Sequence, residues 1–509
     1  MNLATLPTDI YSVAHIRELE AIAIKEMDTS ETALMQCAGA ASFNALLKFW
    51  PSTQSVAVVC GVGSNGGDGY VLAHLAFAHG LEVMIWQVGD PDKLSGAALK
   101  AAQACYQADI PMADFNGFDV SDVDVIIDAV LGIGAKGAIK DDALKAIISI
   151  NSSGLPVLSL DVPTGLDADT GGVLGDEAVF ADVTITFIGV KQGLLTHNGM
   201  DYSGHLICDH LQIPLMIFDR VLPEMERICF DQYRSLFWPR MYNTHKGDFG
   251  YVLVIGGAPG NSGAVSIAAE AAARTGAGLV TVAYHEQPAN ILNSRRPEIM
   301  AFEISDKTSE NIEQLDGLID QAGVIVIGPG LGQLDWSRKV LSKVLASSKP
   351  KVIDADALNI IAEDNISLEN QDAIITPHPG EAARLLNIST QAVQEDRFSA
   401  VRSLYEKYKV VTVLKGAGTL IIDDSALAHL CNDGNPGMAC AGMGDLLAGV
   451  MAGLIAQGMS TQDAAKIGVA LHAKAGDLIA KAQGQRGMMA LDLIPAIREL
   501  INPMLDSNE

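Results

Sequence analysis

Asn435-Pro-Gly-Met-Ala-Cys-Ala-Gly-Met-Gly-Asp445 runs straight into the apolar, helix-forming stretch Leu446-Leu-Ala-Gly-Val-Met-Ala-Gly-Leu-Ile-Ala456, and its reading decides the fold of the C-terminal half of this 509-residue chain. Gly442 and Gly444 let the backbone turn tightly with its amides exposed, and the helix that follows aims the positive end of its dipole at the same spot. The combination predicts an anion hole. An aspartate at the mouth of such a hole meets like charge when phosphate arrives, which is costly unless the carboxylate has a task such as taking a proton from an attacking hydroxyl. Asp445 is therefore the first catalytic candidate; the alternative is that it only N-caps the helix.

Outward from this stretch, β-rich runs at 250–256, 279–282, 324–327, 351–354, 373–376 and 410–414 alternate with Ala-rich helical segments, and helical patterns at 461–483 and 493–501 close the chain. The first 210 residues show the same alternation, with strand-like runs at 55–60, 81–86, 123–128, 156–161 and 183–187. This pattern reads as parallel sheets covered by helices on both faces, whose ligands sit beyond the carboxyl ends of the strands. Regularity breaks down from 219 to 248, where Pro223, Pro239, several aromatic residues and mixed charge intervene. The expected architecture is α/β throughout: a Rossmann-like domain over 1–218, a linker over 219–237 and a second α/β domain over 238–509. The length exceeds what one ordinary core supports, and no short-period repeat suggests a solenoid.

Hydrophobic residues make up 49% of the chain and charged ones 19%, ample for two packed cores. A net charge of −27 argues against a general nucleic-acid or anionic-membrane surface. Anionic ligands must then be held locally, by backbone amides, a few basic side chains or a metal. The seven cysteines are scattered, odd in number and without a Cys-x-x-Cys pair, which predicts free thiols in a reducing cytosol. No secretory signal opens the chain, and the longest apolar stretch, 446–459, is too short to span a bilayer, so a cytoplasmic protein is expected.

Four further segments of the second half place turn glycines and polar groups after a strand: Asn261-Ser-Gly-Ala264, Gly328-Pro-Gly-Leu-Gly332, Thr376-Pro-His-Pro-Gly-Glu381 and Lys415-Gly-Ala-Gly-Thr419. Asp354 and Asp356 read either as solvated turn carboxylates or as ligands of metal-bound water. His378 is either a structural hydrogen bonder between two prolines or a contact aimed at a ring or phosphate. In order and content these segments, with 435–445, resemble the ribokinase-like superfamily. More closely, from Arg240-Met-Tyr-Asn-Thr-His-Lys-Gly247 to the end, they resemble the ADP-dependent NAD(P)H-hydrate dehydratase family. The resemblance implies an αβα sandwich that binds ADP with Mg²⁺ and releases AMP and phosphate. It implies that Lys415, Gly416, Ala417, Gly418, Thr419 and Gly444 hold the nucleotide. Ala264, Gly330, Leu331, Gly332, His378 and Asp445 would line the site of the hydrated dinucleotide.

In the first half, Gly61-Val-Gly-Ser-Asn-Gly-Gly-Asp-Gly69 joins a strand to a helix expected near Tyr70. The loop lacks the Gly-x-Gly-x-x-Gly fingerprint with its later acidic residue, which argues against ordinary NAD(P) redox use. Asn65, Asp128 and Thr164 lie at three strand ends and offer only hard oxygen donors, better suited to an alkali or alkaline-earth cation than to a transition metal. The segments Asn65-Gly-Gly-Asp-Gly69, Asp128-Ala-Val-Leu-Gly-Ile-Gly134, Asp161-Val-Pro-Thr-Gly165 and Phe187-Ile-Gly-Val-Lys-Gln-Gly193 resemble NAD(P)H-hydrate epimerases over nearly all of residues 10–215. That likeness implies K⁺ at Asn65, Asp128 and Thr164. Substrate contacts are implied at Ser64, Asn65, Gly66, Gly67 and Asp68, at Gly132, Ile133, Gly134, Ala135, Lys136, Gly137 and Ala138, and at Asp161. Epimerisation at C6 requires assistance to the loss and return of water, and Asp161 is the candidate acid/base; Lys191 is either a second candidate or simply a neutraliser of phosphate.

Together the two resemblances imply repair of hydrated NADH and NADPH, with small-molecule substrates (the two hydrates and ADP); from charge and hydropathy neither nucleic acid nor membrane is expected as partner, and a homo-oligomer is expected. The alternatives are a ribokinase-like kinase of a stable alcohol, against which the fused first domain argues, and a non-catalytic nucleotide and cation sensor.

Overall fold

The computed structural model describes residues 6–117, 122–285, 296–304, 309–425 and 427–502, with only the backbone of 309–313. The chain forms two compact units, Met1–Arg227 and Ile228–Glu509.

In the first unit the strands lie in the order Met112–Asp114, Glu82–Gln87, Ser55–Cys60, Val125–Ala129, Val157–Leu160, Val183–Phe187 and His205–Asp209, all parallel. Every residue of Val125–Ala129 and of Val183–Phe187 is buried, as a sheet covered on both faces demands. Val56, Val58 and Ile185 pack on one face with Leu72, Ala76 and Leu46 from the helices Ser64–His79 and Glu31–Phe49; Ala57, Val59 and Ile126 pack on the other with Ile147 and Ile150 of Asp141–Ser152. The order in which the chain adds strands reverses between Ser55–Cys60 and Val125–Ala129, which opens a crevice at their carboxyl ends. A small ladder joins Asp9–Tyr11 antiparallel to Met225–Arg227 and parallel to Val190–Lys191, fixing the backbone of Lys191.

In the second unit the parallel strands run Met300–Glu303, Leu279–Tyr284, Tyr251–Gly256, Val324–Ile327, Lys351–Ile353, Ala373–Ile375 and Val411–Leu414, and the hairpin strands Thr419–Ile422 and Ala428–Cys431 follow antiparallel. The helices Ser262–Thr275 and Met443–Ala456 pack backbone-close. A Cβ on Gly449 would lie 2.1 Å from the Ala268 carbonyl oxygen, and one on Gly453 would lie 2.8 Å from that of Ala272. The Ala and Gly content of both segments permits this approach and holds the amino end of Met443–Ala456 over the strand ends.

The division between Arg227 and Ile228 falls inside 219–237, whose residues take part in the packing of one unit or the other. Val221 packs into the first core, Met225–Arg227 pairs with Asp9–Tyr11, and Phe230 is fully buried in the second core. All seven cysteines are free thiols. No helix among the described residues is long and apolar enough to cross a membrane.

Candidate active sites

The crevice of the first unit is a cavity of about 620 Å³, lined among others by Ser64, Asn65, Asp68, Gly132, Ile133, Gly134, Ala135, Asp161 and Lys191. Its helix starts at Ser64, capped by Gly63, rather than near Tyr70, so 64–69 form the first turns of a helix and not a loop. The glycines serve close packing. A Cβ on Gly66 would stand 1.9 Å from the Gly61 carbonyl oxygen, one on Gly67 2.4 Å from Met35, and one on Gly69 2.5 Å from Ala129 Cβ. Gly66 and Gly67 thus lie off the cavity wall, as do Lys136, Gly137 and Ala138, which are exposed beyond it.

Asp161 is buried at the end of its strand with φ +63°, a conformation non-glycine residues seldom adopt, and it is bonded to the Lys191 ammonium. Lys191, 1% exposed, also donates to Thr186 Oγ1 at 2.9 Å and to the Phe187 carbonyl at 2.7 Å. Its three protons are spoken for inside the fold, so it serves Asp161 before any phosphate. Burial, reinforced by Asp161 and Glu20, lifts the Asp68 carboxyl well above the ordinary carboxylate range, with Lys191 opposing. Burial also raises Glu20, helped by Glu31 and Asp161. Glu20 and Glu31, cavity residues on the helices Val13–Glu26 and Glu31–Phe49, were not foreseen; acidic residues on amphipathic helices carry no spacing signal.

Asp128 is fully buried. Its oxygens accept from Ser159 Oγ at 2.8 Å, Thr164 N at 2.9 Å and Thr164 Oγ1 at 2.6 Å, and burial raises its carboxyl against these bonds. Thr164 Oγ1 accepts in turn from Leu131 N at 3.0 Å. Asn65, 7% exposed, has neither amide atom hydrogen-bonded within the protein, and its side chain stands against Gly132, whose Cβ would be 3.3 Å away. A buried amide without partners is rare enough to require an explanation.

In the second unit the helix carrying Asp445 starts at Met443, and its N-cap is Gly442 in the left-handed region, φ +90°. Asp445 therefore is not the cap. It is half-buried in the first turn; burial, then Asp354, push its carboxyl up to about 6, Lys415 opposes, and Asp356 adds to the rise. Lys415 Nζ donates to Asp354 Oδ1 at 2.8 Å and lies 3.9 Å from Glu381, and a Cβ on Gly444 would meet Lys415 Nζ at 3.1 Å and Asp354 Oδ2 at 3.4 Å. Burial works to lower the Lys415 ammonium, but Asp354 and Glu381 outweigh it and the net shift is upward.

Gly330, φ +56°, would clash through a Cβ with the Asn261 carbonyl oxygen at 2.6 Å and approach Ala264 Cβ at 3.3 Å, so the turns at 261–264 and 328–332 meet. Leu331 is fully buried and has only backbone to offer, while the Gly332 amide donates to Asp356 Oδ2 at 2.8 Å. His378 caps the helix Pro379–Leu386: Nδ1 accepts from Gly380 N at 3.0 Å, and its own amide donates to Glu381 Oε2 at 2.8 Å. The ring is half exposed, and burial followed by Lys415 and Arg384 keeps it below its ordinary value. Thr419 opens a strand and its hydroxyl closes the 415–419 turn by donating to the Gly416 carbonyl at 3.1 Å. Two residues near this loop were not foreseen. His472 is buried on the helix Thr461–Gln483, pushed down to about 4 by burial and then Lys415. Arg397 lies under 415–418.

Residues 252–499 match the family model described as NAD(P)H-hydrate dehydratase, and residues 31–193 that of the YjeF-related protein N-terminus. Bifunctional NAD(P)H-hydrate repair enzymes of Coxiella burnetii (46% identity, 97% of this chain and 100% of the relative), Vibrio cholerae (40%, 98% and 100%) and Escherichia coli K12 (38%, 99% and 96%) are similar along the whole length. A solved ribokinase-like superfamily protein from Enterococcus faecalis shares 30% identity over 55% of this chain and 95% of its own, with a TM-score of 0.50. The chain belongs to the bifunctional NAD(P)H-hydrate repair enzymes, an epimerase unit followed by an ADP-dependent dehydratase unit.

Proposed function

We propose that Asp445 is the base of the dehydratase and Asp161 the acid/base of the epimerase, so that R and S hydrates interconvert in the first unit and the S form is consumed in the second. The observation that carries the dehydratase half is the place of Asp445 in the first turn at the open amino end of its helix, next to Gly444, which lies against Lys415 and Asp354; burial there, then Asp354, hold its carboxyl up to about 6. Asp445 takes the C6 hydroxyl proton while that oxygen attacks the β-phosphorus of ADP, and the bond to the bridging oxygen breaks to release AMP. The ring nitrogen lone pair then expels phosphate from C6, and loss of a C5 proton restores the dihydropyridine. Amides at 442–444 and the ammonium of Lys415 face the transferring oxygens. Residues 415–419 and Gly444 hold the nucleotide; Ala264, Gly330, Gly332 and His378 receive the dinucleotide.

Mg²⁺ supplies neutralisation of phosphoryl charge when bound. Among the described residues no group of three or more His, Cys, Asp or Glu is gathered to hold a metal, and Asp354 and Asp356 each have one oxygen engaged within the protein. That donor set fits an ion carried by phosphate and water with these carboxylates outside it. In the first unit the unpartnered amide of Asn65, with Asp128 and Thr164, fits K⁺: hard oxygens, low charge and a buried polar atom in want of a partner. The same reading keeps the protein in the cytoplasm, supported by its free thiols, and makes it a homo-oligomer, supported by exposed Trp238, Met241 and Tyr242.

The test is to mix the purified chain with R and S hydrates, Mg²⁺ and either ADP or ATP, following the return of reduced-nicotinamide absorbance. Full recovery with ADP, the R form disappearing faster than it converts unaided, is the expected result. Recovery of the S fraction alone would reduce the first unit to a binding module, and none with either nucleotide would reopen the kinase reading.

A further inference from the structure

Arg397 is 1% exposed, the first residue of the helix Arg397–Tyr408, where the helix dipole already places positive charge. A cation gains nothing there from its own helix. Its bonds run instead to the segment 414–418. Nη2 donates to the carbonyls of Leu414 and Lys415 at 3.4 Å each and of Gly418 at 3.2 Å, while Nη1 donates to Gln394 Oε1 at 2.9 Å. Gly416, φ +141°, lies against the guanidinium so closely that a Cβ would stand 2.7 Å from Nη1.

In a trans peptide a carbonyl and the amide after it point in opposite directions. With the carbonyls of Lys415 and Gly418 drawn onto Arg397, the amides of Gly416 and Thr419 face the other side of the loop. The Lys415 amide, whose preceding carbonyl is also on Arg397, is likewise directed away, donating to the Pro377 carbonyl at 3.0 Å. The guanidinium itself stays charged: burial pulls it down only to about 10. A fixed positive charge under two outward amides is an anion-facing surface, and it acts without touching the ligand.

We infer that Arg397 is the positioning residue of the dehydratase nucleotide loop, turning the amides of Gly416 and Thr419 toward the phosphates of a nucleoside diphosphate and supplying a buried charge beneath them. The inference rests on the nucleotide reading above. It assigns to Arg397 affinity for the phosphates and not for the base, which separates it from a residue that only keeps the loop folded.

The test compares Arg397→Met, Arg397→Lys and the milder Gln394→Ala, which removes the side chain orienting the guanidinium, in the full-length protein. Affinities for ADP and for adenosine are measured by calorimetry, with KM for ADP and for the hydrate. Charge-assisted hydrogen bonds of this kind predict a loss of roughly ten- to hundredfold in ADP affinity for Arg397→Met. Arg397→Lys should recover part of it and Gln394→Ala should show a smaller loss, with adenosine affinity and KM for the hydrate nearly unchanged. Equal losses for ADP and adenosine, or ADP affinity unaltered in all three, would overturn the inference. Amide exchange on the wild type separates the two readings. If ADP fails to protect 415–419, the nucleotide reading itself falls. Protection there with unaltered variants sinks only the role of Arg397.

Discussion

Replacing Asp445 by Asn should make the protein more stable and the dehydratase nearly inert. Burial and Asp354 raise the Asp445 carboxyl from 3.8 to about 6 with the attraction of Lys415 already included, so holding it ionised in the fold at pH 8 costs about 3 kcal/mol at ~1.4 kcal/mol per unit, an upper figure because the carboxyl is only half-buried and solvent screens it. The sign follows from linkage. A carboxyl whose folded value lies above its unfolded one stabilises the fold when protonated; that contribution is complete below about 3.8 and is lost as the pH rises through about 6. Asn carries no such cost at any pH. The variant should therefore melt higher than wild type at pH 8, by an amount equivalent to about 1–3 kcal/mol, and the gap should close as the pH falls toward 4. In parallel the ADP-dependent turnover should drop by about 10²–10⁴-fold, the usual worth of a positioned base, while wild-type turnover should fall tenfold per unit below about pH 6. Thermal melts from pH 4 to 8 and initial rates of absorbance recovery supply both readouts. A variant that melts lower at pH 8, or a gap independent of pH, would refute the electrostatic reasoning; turnover within tenfold of wild type would refute the assignment of the base.

Lys415→Met leaves the 1% exposed Asp354 without its ammonium, so stability should fall by about 3–5 kcal/mol, and adding Asp354→Asn should restore part of it in a double-mutant melt. Lys191→Met strands Asp161 in the same way; the S hydrate should still be consumed while the R hydrate persists, as chiral chromatography of the remaining hydrates would show. Asn65→Leu removes a buried amide that no protein group satisfies, so the melting temperature should hold or rise while any stimulation of epimerisation by K⁺ over Na⁺ disappears; unchanged K⁺ dependence would count against the cation site.

The central strands could be read from the chain because burial on both faces writes itself as continuous Val and Ile runs, as in Val183–Phe187 and Val324–Ile327. Met112–Asp114 and Met300–Glu303, at the sheet edges, are short and less buried, so that signal is missing from them, and the hairpin Thr419–Ile422 with Ala428–Cys431 was hidden behind the glycine-rich turn before it. The helix from Ser64 looked like a loop because glycine is a poor helix former; the reason for its glycines, contacts with Gly61, Met35 and Ala129, is tertiary and leaves no local trace. Asp445 and Asn65 could be singled out because each opens a helix beside glycine, and Asp161 because it follows a strand. Lys415 was legible only as part of a backbone loop, since its side-chain partners Asp354 and Glu381 come from other strand ends.

The two units put a lysine beside each candidate acid/base and use it in opposite ways. In the second, the direct bond of Lys415 goes to Asp354, so Asp445 feels the ammonium through space. In the first, Lys191 bonds to Asp161 itself and spends its other protons on Thr186 and Phe187. Phosphoryl transfer needs a base that is free to accept, whereas epimerisation needs one site to release water and return it to either face of the ring. A carboxylate fixed by an ammonium suits the latter, because its oxygens are held in one place for both directions of the reaction. The neighbouring Asp68, whose carboxyl burial and then Asp161 and Glu20 push well up against the opposing Lys191, lines the same cavity and offers the substrate a second carboxyl. On this view Asp68→Asn, which keeps a donor and removes the titration, should preserve epimerisation far better than Asp161→Asn, and the reverse order would show that the roles of the two carboxyls are exchanged.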